Sequence, residues 1–201
     1  MKAKKTKKGF TLMELIIVLV IMGILVAIIV PSWSYFVRRS RERTANSKAK
    51  MVFNACQTEV TRVSMKERPL INIINDPTVS DTKKNEVKAD IYMGDGKFYF
   101  YWDGKTGTRL DPVDIKNTKP SPANDTSLKN GINNINNNGE GVYKIYVDNY
   151  QVKSVVYSDM PNGRYKGTYP RMMDDLDDTT RDYIRSHSMD NYDSTLMGNL
   201  S

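Results

Sequence analysis

The sequence has very few of the residues on which disulfide-stabilised proteins and many enzymes depend. Among 201 residues there is one cysteine, Cys56, and one histidine, His187. A single cysteine excludes an intramolecular disulfide. A single histidine leaves too few groups for a histidine-based metal cluster or for cysteine–histidine catalysis. The motifs G-x-S-x-G, Walker A, H-E-x-x-H and C-x-x-C are also missing. No familiar catalytic motif therefore predicts an enzyme.

Acidic residues are absent from the first nine positions, which carry five lysines. The whole chain has 30 basic and 23 acidic side chains, a net charge of +7. Without residues 1–9 the balance is 25 basic to 23 acidic side chains, or +2. The basic character thus belongs mainly to the N-terminal segment, and the bulk charge gives little support for nucleic-acid binding.

A long uncharged run follows the basic segment, from Leu15 to Val30. Counted from Phe10, it is long enough to cross a hydrocarbon core of about 30 Å as a helix, and the preceding lysines favour a cytoplasmic N-terminus. A cleaved secretory signal is the alternative. Against it, the run is long for such a signal, contains Glu14 near its start, and is followed by no small-x-small cleavage site. We predict a transmembrane helix at residues 10–30.

Helical spacing of apolar residues continues after this run. The apolar seam, with spacings of three or four residues, consists of Ala45, Ala49, Val52, Cys56, Val60 and Val63. We expect an amphipathic helix over residues 31–68, ended by Pro69 because the residue before a proline is driven out of the α conformation. Gly23 and Pro31 are expected to kink or soften the helix. Cys56 is interpreted as a buried structural thiol.

Beyond Pro69 the pattern changes to that of strands and turns. Two hairpins are predicted, Asp90–Tyr92 with Lys97–Trp102 around Gly94–Gly96, and Val142–Val147 with Val152–Tyr157 around Asp148–Asn149. Residues 119–141, rich in Pro, Ser, Asn and Gly, are predicted to form a long surface loop, and a short helix is expected at Asp182–Arg185. The predicted fold class is α+β, a long N-terminal helix packed on a small antiparallel sheet, with residues 69–201 as an extracytoplasmic globular domain.

The segment Lys8-Gly9-Phe10-Thr11-Leu12-Met13-Glu14 resembles the class III signal of type IV pilins and pseudopilins. In that family a short basic leader ends in glycine, the mature chain begins with phenylalanine, and its fifth residue is glutamate. The resemblance covers the apolar run and its amphipathic continuation, about the first sixty residues. It implies a leader peptide at residues 1–9 and a pilin-like fold. No motif is shared beyond Pro69.

The resemblance also implies how the chain is processed. A membrane-embedded prepilin peptidase would cut between Gly9 and Phe10 and methylate the new Phe10 amine. Glycine suits such a junction because a residue without a side chain lets the backbone approach an active site closely. Methylation keeps the positive charge of the amine. An uncleaved N-terminal anchor with a stray glutamate is the alternative.

In the family, the glutamate of one subunit is thought to meet the terminal amine of its neighbour, which makes Phe10 and Glu14 the predicted assembly residues. A carboxylate in hydrocarbon costs about 2.5–3.5 kcal/mol on insertion scales, and a buried charge is tolerable when it is paired. Such a head-to-tail contact does not close and builds a helical fibre.

The sequence therefore predicts a non-enzymatic structural subunit of a type IV pilus-like filament. Its expected partners are copies of itself and related pilins, the prepilin peptidase and methyltransferase, membrane lipid before assembly, and the filament assembly machinery. The alternative is a pseudopilin of a type II secretion or DNA-uptake system. A membrane-tethered extracytoplasmic enzyme or binding domain, the alternative from another class, would need a catalytic constellation in residues 69–201 and would leave Glu14 unexplained.

Two charged clusters have weaker interpretations. Asp174, Asp175, Asp177 and Asp178 are candidate calcium ligands that would pin the tail, as in some pseudopilins, but their spacing is not that of an EF-hand and a solvated acidic turn is favoured. No cofactor is otherwise expected. The basic cluster Arg38–Arg43 is interpreted as a membrane-edge anchor or as a partner of acids on the next subunit, with DNA or phospholipid headgroups as alternatives.

Overall fold

The computed structural model describes residues 9–104, 106, 130–134 and 140–201. Its helices and strands, in chain order, are α1 (Leu12–Asn75), α2 (Asp81–Ala89), β1 (Lys97–Asp103), β2 (Val142–Asp148), β3 (Gln151–Ser158), β4 (Lys166–Tyr169), α3 (Asp178–Ser186) and α4 (Ser194–Asn199). Residues 130–134 are helical as well. The chain divides into two compact units, Met1–Ser40 and Arg41–Ser201. The α+β fold predicted from the sequence is confirmed.

In the first unit, α1 is apolar on every side. Its large apolar side chains between Leu12 and Phe36 are all exposed, so they have no core of their own to enter. Among the described residues, α1 is the helix that is long and apolar enough to cross a membrane, judged by length and composition. An apolar surface of this extent needs lipid or other apolar helices around it.

In the second unit, α1 is apolar on one side only. The predicted seam is confirmed, since all six of its residues from Ala45 to Val63 are buried against the sheet. Cys56 lies at the centre of this contact and is fully buried. Desolvation raises the pKa of the Cys56 thiol far above its ordinary value, which keeps the thiol protonated and unreactive.

The predicted end of the helix at Pro69 is wrong, because α1 continues to Asn75. Pro69 cannot donate to the carbonyl of Met65, but Met65 is 74% exposed, so water can take the place of the missing donor. Glu67 before the proline is buried, and Ile71 after it packs on the core. Tertiary contacts on both sides of Pro69 therefore outweigh the local penalty.

The four strands form one antiparallel sheet in the order β1-β2-β3-β4. The predicted hairpin between β2 and β3 is confirmed, with Val142 opposite Ser158. Its turn lies one residue later than predicted, at Asn149 and Tyr150, whose φ angles are 48° and 60°. Asparagine tolerates this left-handed conformation better than most residues.

The predicted hairpin of Asp90–Tyr92 with Lys97–Trp102 is wrong. Strand β1 pairs with β2 along its whole length, and residues 90–92 form no strand. The reason is the buried carboxylate of Glu67. It accepts hydrogen bonds from the N–H groups of Tyr92 (2.6 Å), Met93 (2.9 Å) and Gly94 (2.7 Å), so these donors bind α1 and are not available to a strand ladder.

No sequence pattern predicted β4, a four-residue edge strand that runs against α1. A Cβ at Gly167 would lie 2.0 Å from the carbonyl carbon of Ala45, so only glycine allows this approach. The N–H of Thr168 donates to Oδ1 of Asn46 at 2.9 Å. Helix α1 thus binds the edge strand directly and satisfies one of its backbone donors.

The predicted surface loop at residues 119–141 is described only in part. Residues 119–129 and 135–139 lie outside the described residues. Residues 130–134 are helical, and Ile132 is fully buried in the core. For this short stretch the prediction of a surface loop is wrong. The buried isoleucine anchors this segment to the core, although the neighbouring asparagines are typical of a loop.

The sheet is covered on both faces. One face packs on α1, and the other packs on the C-terminal segment, residues 170–201. On that face, a second cluster of buried apolar residues joins sheet residues such as Tyr101 and Val156 to Met173, Ile184 and Met197 of the C-terminal segment. Burial on both faces explains why the side chains of β2 are nearly all buried instead of alternating. The short helix predicted at Asp182–Arg185 is confirmed as part of α3.

Candidate functional site

The predicted processing junction lies just before α1. Gly9 and Phe10 are exposed and non-helical, with Phe10 88% exposed, and the helix begins at Leu12. No described heavy atom lies within 4 Å of the position that a Cβ on Gly9 would take. The backbone at this junction is therefore open to an approaching enzyme. Residues 1–8 of the predicted leader lie outside the described residues.

Glu14 is held at the start of α1 by Thr11. Its Oε2 accepts hydrogen bonds from the Thr11 N–H at 2.8 Å and from the Thr11 hydroxyl at 2.9 Å. In return the Glu14 N–H donates to the Thr11 hydroxyl oxygen at 3.3 Å. This reciprocal arrangement is a capping box, which satisfies N–H groups that have no partner in the first helical turn.

The capping box aims the carboxylate of Glu14 back towards the Phe10 end of the helix. No role was predicted for Thr11 from the sequence, although the spacing T-x-x-E before an apolar run is a known signal for this motif. The structure therefore brings Phe10, Thr11 and Glu14 together in one turn. The one carboxylate in the apolar stem, which we define as residues 10–36, is thereby oriented at the start of the helix.

Gly23 and Pro31, the predicted kink residues, both lie inside α1, and the helix is continuous through them. Nothing described lies within 4 Å of a Cβ position on Gly23, so no close neighbour requires a glycine there. One residue after Pro31, the Ser32 hydroxyl donates to the Ile28 carbonyl at 3.4 Å. Such local bonds often accompany helix bending. The kink itself stays a prediction.

The four aspartates proposed as calcium ligands have partners of other kinds. The pairs are Asp174 with the Arg43 guanidinium, Asp175 with the Met172 N–H, Asp177 with the Thr180 N–H, and Asp178 with the Arg181 guanidinium. Asp177 caps α3, and the hydrogen bond from Thr180 lowers the pKa of its carboxyl. In the described ranges, no three acidic, histidine or cysteine side chains form a group suited to a metal ion. Calcium binding stays a prediction from the sequence.

Two buried lysines hold the C-terminal segment, which has no disulfide. Lys144 on β2 donates to the carbonyl oxygens of Met189, at 3.2 Å, and of Tyr192. Lys166 on β4 donates to the carbonyl oxygen of His187 at 2.7 Å. Both side chains are almost fully buried, and desolvation lowers the pKa of Lys166 to about 8. Buried ammonium groups need such acceptors.

An ion pair between helices adds to this attachment. The Arg185 guanidinium on α3 makes two hydrogen bonds to the Glu42 carboxylate on α1, at 2.7 Å and 2.8 Å. Glu42 is 3% exposed. The Ser154 hydroxyl on β3 also donates to the Met197 carbonyl at 2.6 Å. Nothing in the local sequence pattern identified these side chains, because a lysine in a strand normally predicts a solvent-facing position.

The predicted basic cluster Arg38–Arg43 does not act as one group. Arg38 lies over the ring of Tyr35 at 5.8 Å from its centre. Arg41 lies over the ring of Tyr165 at 5.2 Å. Arg43 lies 3.9 Å from Asp174. Arg38, Arg41 and Arg43 therefore have three different neighbours, and Arg41 and Arg43 contact the globular part of the second unit.

Comparison with known proteins bears on the same N-terminal segment. Residues 4–30 match the family model described as the prokaryotic N-terminal methylation motif. The match contains the Gly9–Phe10 junction, the Thr11–Glu14 capping box and the apolar half of α1 through Val30. No curated protein and no solved structure gives a significant match to the chain.

Proposed function

We propose, since the chain carries the prepilin-type signal of type IV pilins and pseudopilins, that it is a structural subunit of a type IV pilus-like filament. One observation carries the proposal. The methylation motif coincides with the part of α1 up to Phe36, in which the large apolar side chains are exposed and the one carboxylate, Glu14, is oriented by Thr11 at the start of the helix. Pilin-type families are structural and non-enzymatic, and we propose the same for this protein.

The first step is removal of the leader. The prepilin peptidase hydrolyses the peptide bond between Gly9 and Phe10, which leaves a carboxylate on Gly9 and an amine on Phe10. The associated methyltransferase then transfers a methyl group from a methyl donor to the nitrogen of that amine, which releases one proton and keeps its positive charge. The exposed, non-helical junction supports this step because a peptidase needs extended backbone that it can reach.

The second step is assembly from the membrane. Before assembly, the transmembrane segment at residues 10–30 lies in lipid, with the N-terminus at the cytoplasmic face and residues 41–201 outside. In the filament, the Glu14 carboxylate of one subunit pairs with the Phe10 amine of its neighbour among packed apolar helices. The apolar side chains of α1 supply adhesion, and the ion pair sets the register. The contact is head-to-tail and therefore extends into a fibre.

The signal and the fold are common to pilus subunits and to pseudopilins of type II secretion or DNA-uptake systems, which make the same kind of contact. The two roles differ in the amount of filament at the cell surface. Electron microscopy of sheared surface material, with mass spectrometry of its subunits, distinguishes them. Abundant filaments that contain this chain support the pilus subunit, and short or absent filaments support the pseudopilin.

Processing is tested by intact-mass analysis of the chain from membranes. We expect a mature chain that begins at Phe10 and carries one methyl group. Gly9→Leu should block cleavage because a side chain now enters the peptidase site, whereas Gly23→Ala is the matched control, since nothing described lies near its Cβ position. A chain that keeps its N-terminal lysines, or is cut near Ser32, would contradict the proposal.

A further inference from the structure

A small cavity lies where α1 and α2 end. It is lined by Ile71, Ile74 and Asn75 of α1, Lys88 of α2, and Ile91, Gly94 and Asp95 of the segment before β1. All of these residues belong to the Arg41–Ser201 unit. The volume of the cavity is about 190 Å³. At about 30 Å³ per water molecule, this is room for about six waters, and so for one small organic molecule.

The walls of this cavity are held in place by backbone hydrogen bonds. The Glu67 carboxylate accepts hydrogen bonds from the N–H groups of Met93 and Gly94, which fixes the wall before β1 to α1. The Ile91 N–H donates to the Lys88 carbonyl oxygen at 3.3 Å, which fixes Ile91 to the last turn of α2. A ligand therefore enters a cavity that is already formed, and little of its binding free energy is lost in ordering the protein.

The lining of the cavity combines apolar side chains with two opposite charges. Ile71, Ile74 and Ile91 are half-buried, so water in the cavity contacts apolar surface that a ligand could cover. Lys88 and Asp95 are exposed, and within the described ranges neither side chain has an ion pair or a hydrogen bond. One ammonium group and one carboxylate thus belong to the same cavity without neutralising each other.

We propose that this cavity binds a free α-amino acid with an apolar side chain, such as leucine. The side chain of the ligand contacts the three isoleucines, its carboxylate binds the Lys88 ammonium, and its ammonium binds the Asp95 carboxylate. Helix α1 ends at Asn75, in the lining of the cavity, and the negative end of a helix dipole also favours an ammonium group. A ligand with one charge would leave the opposite protein charge unpaired, so a zwitterion is the class of molecule that satisfies both.

The test is isothermal titration calorimetry of the full chain in a non-ionic detergent at pH 7, where leucine is a zwitterion. We expect saturable binding of one leucine per chain. Leucinamide lacks the carboxylate and 4-methylpentanoate lacks the ammonium. Each should bind at least about tenfold more weakly than leucine, the usual effect of losing one hydrogen bond between charged groups. Serine, which lacks the apolar side chain, should not bind.

Two variants test the two charged contacts separately. Lys88→Gln should weaken the binding of leucine at least about tenfold and leave that of leucinamide unchanged, because leucinamide has no carboxylate. Asp95→Asn should weaken leucine in the same way and leave 4-methylpentanoate unchanged. Lys83→Gln is the matched control, since Lys83 is an exposed lysine of α2 outside the lining of the cavity, and it should bind leucine like the unaltered chain. Equal weakening of every ligand by both variants would overturn the proposed contacts.

Two results with the unaltered chain would overturn the proposal as a whole. The first is the absence of saturable heat up to about 10 mM leucine, which is weaker than millimolar affinity. The second is equal binding of N-acetylleucinamide, which carries neither charge and would make the cavity a site for an apolar side chain of a peptide. None of these titrations requires cleavage, methylation or filament assembly, so their failure is distinct from a failure of the proposed function.

Discussion

Several charged side chains lie in apolar surroundings, and four of them show how hydrogen bonds replace the lost water. Glu14 binds the Thr11 N–H and hydroxyl in the apolar stem. Glu67 binds three backbone N–H groups in the core, and Lys144 and Lys166 bind carbonyl oxygens of the C-terminal segment. Three of these sites are complete within one chain. Glu14 lies in the exposed part of α1, and in the proposed filament it also pairs with an amine from a neighbouring subunit.

Glu14→Ala is expected to block filament assembly without blocking insertion or cleavage. Removal of a carboxylate from the stem eases insertion, by up to about 2.5–3.5 kcal/mol. In the filament it leaves the Phe10 amine of the neighbour unpaired, and breaking one side of a buried pair costs about 3–5 kcal/mol. The measurement is the amount of subunit in sheared filaments relative to the cleaved subunit in membranes.

Glu14→Gln separates charge from hydrogen bonding at the same position. It should fail like Glu14→Ala if the negative charge is required, and it should assemble if a hydrogen-bond acceptor is enough. Thr11→Ala is a useful companion, because it removes the capping hydroxyl but keeps the carboxylate, and should assemble. Normal filaments from Glu14→Ala would show that this residue is not the assembly device.

Lys166 is expected to make stability depend on pH. Its pKa is about 8 in the folded chain and 10.5 when solvated, so the unfolded chain binds more protons between these values. The contribution of Lys166 to the free energy of unfolding should therefore rise from pH 8 to pH 10.5, by up to about 1.4 kcal/mol per pH unit, and should be lost as the pH falls through 8.

Lys166→Met provides the reference, because methionine has a similar shape and no charge. Unfolding of both proteins is followed by circular dichroism from pH 6 to pH 10 in the same detergent. The difference between them cancels the titration of tyrosines and of Cys56. A difference that does not change with pH would mean that the Lys166 ammonium is not desolvated in the folded chain.

At the level of elements, the contact of β4 with α1 decides how the edge of the sheet is closed. Exposed edge strands invite pairing with other chains. Here the Thr168 N–H is bound by Asn46, and Gly167 lets the two backbones touch. The contact requires a residue without a side chain at position 167. A substitution that adds one methyl group there therefore tests it.

Gly167→Ala is expected to destabilise the protein by about 1–3 kcal/mol, the usual cost of overpacking, because its Cβ would lie 2.0 Å from the Ala45 carbonyl carbon. For a chain of this size, that corresponds to a fall in Tm of several degrees. Gly198→Ala is the control. Among the described residues, no neighbour lies within 4 Å of its Cβ position, and it is inside α4, so the change should be neutral or stabilising. Equal Tm values for the two variants would contradict the close approach of β4 to α1.

At the level of the whole molecule, the apolar stem and the packed cores belong to different units. Both core clusters contain only residues of the Arg41–Ser201 unit. Most of the large exposed apolar residues lie between Phe10 and Phe36. Folding of the globular part and the proposed adhesion between subunits therefore use different surfaces.

A chain that starts at Arg38 is accordingly expected to be soluble, folded and monomeric. It lacks the stem but keeps the buried seam, the sheet and the attachment of the C-terminal segment through Arg185 and Glu42. Light scattering coupled to gel filtration gives its mass, and circular dichroism gives its fold. If this fragment formed filaments unaided, adhesion would lie in the globular part and the proposed mechanism would be wrong.

The sequence by itself determined the features that depend on local pattern. The apolar run, the buried seam of α1 and the hairpin of β2 with β3 follow from periodicity, because burial on one side of a helix or between strands leaves a regular repeat. The Gly9–Phe10 junction and Glu14 follow from residue types in a fixed order. The Thr11 capping box was equally visible in the sequence.

Only the tertiary structure decided the features that join distant residues. Helix α1 continues past Pro69. Residues 90–92 form no strand, because the Glu67 carboxylate binds N–H groups at the end of that segment. Lys144 and Lys166 hold the C-terminal segment in place of a disulfide. The physical reason is the same in each case. A buried charge is stable only where specific partners surround it, and those partners come together only when the chain is folded.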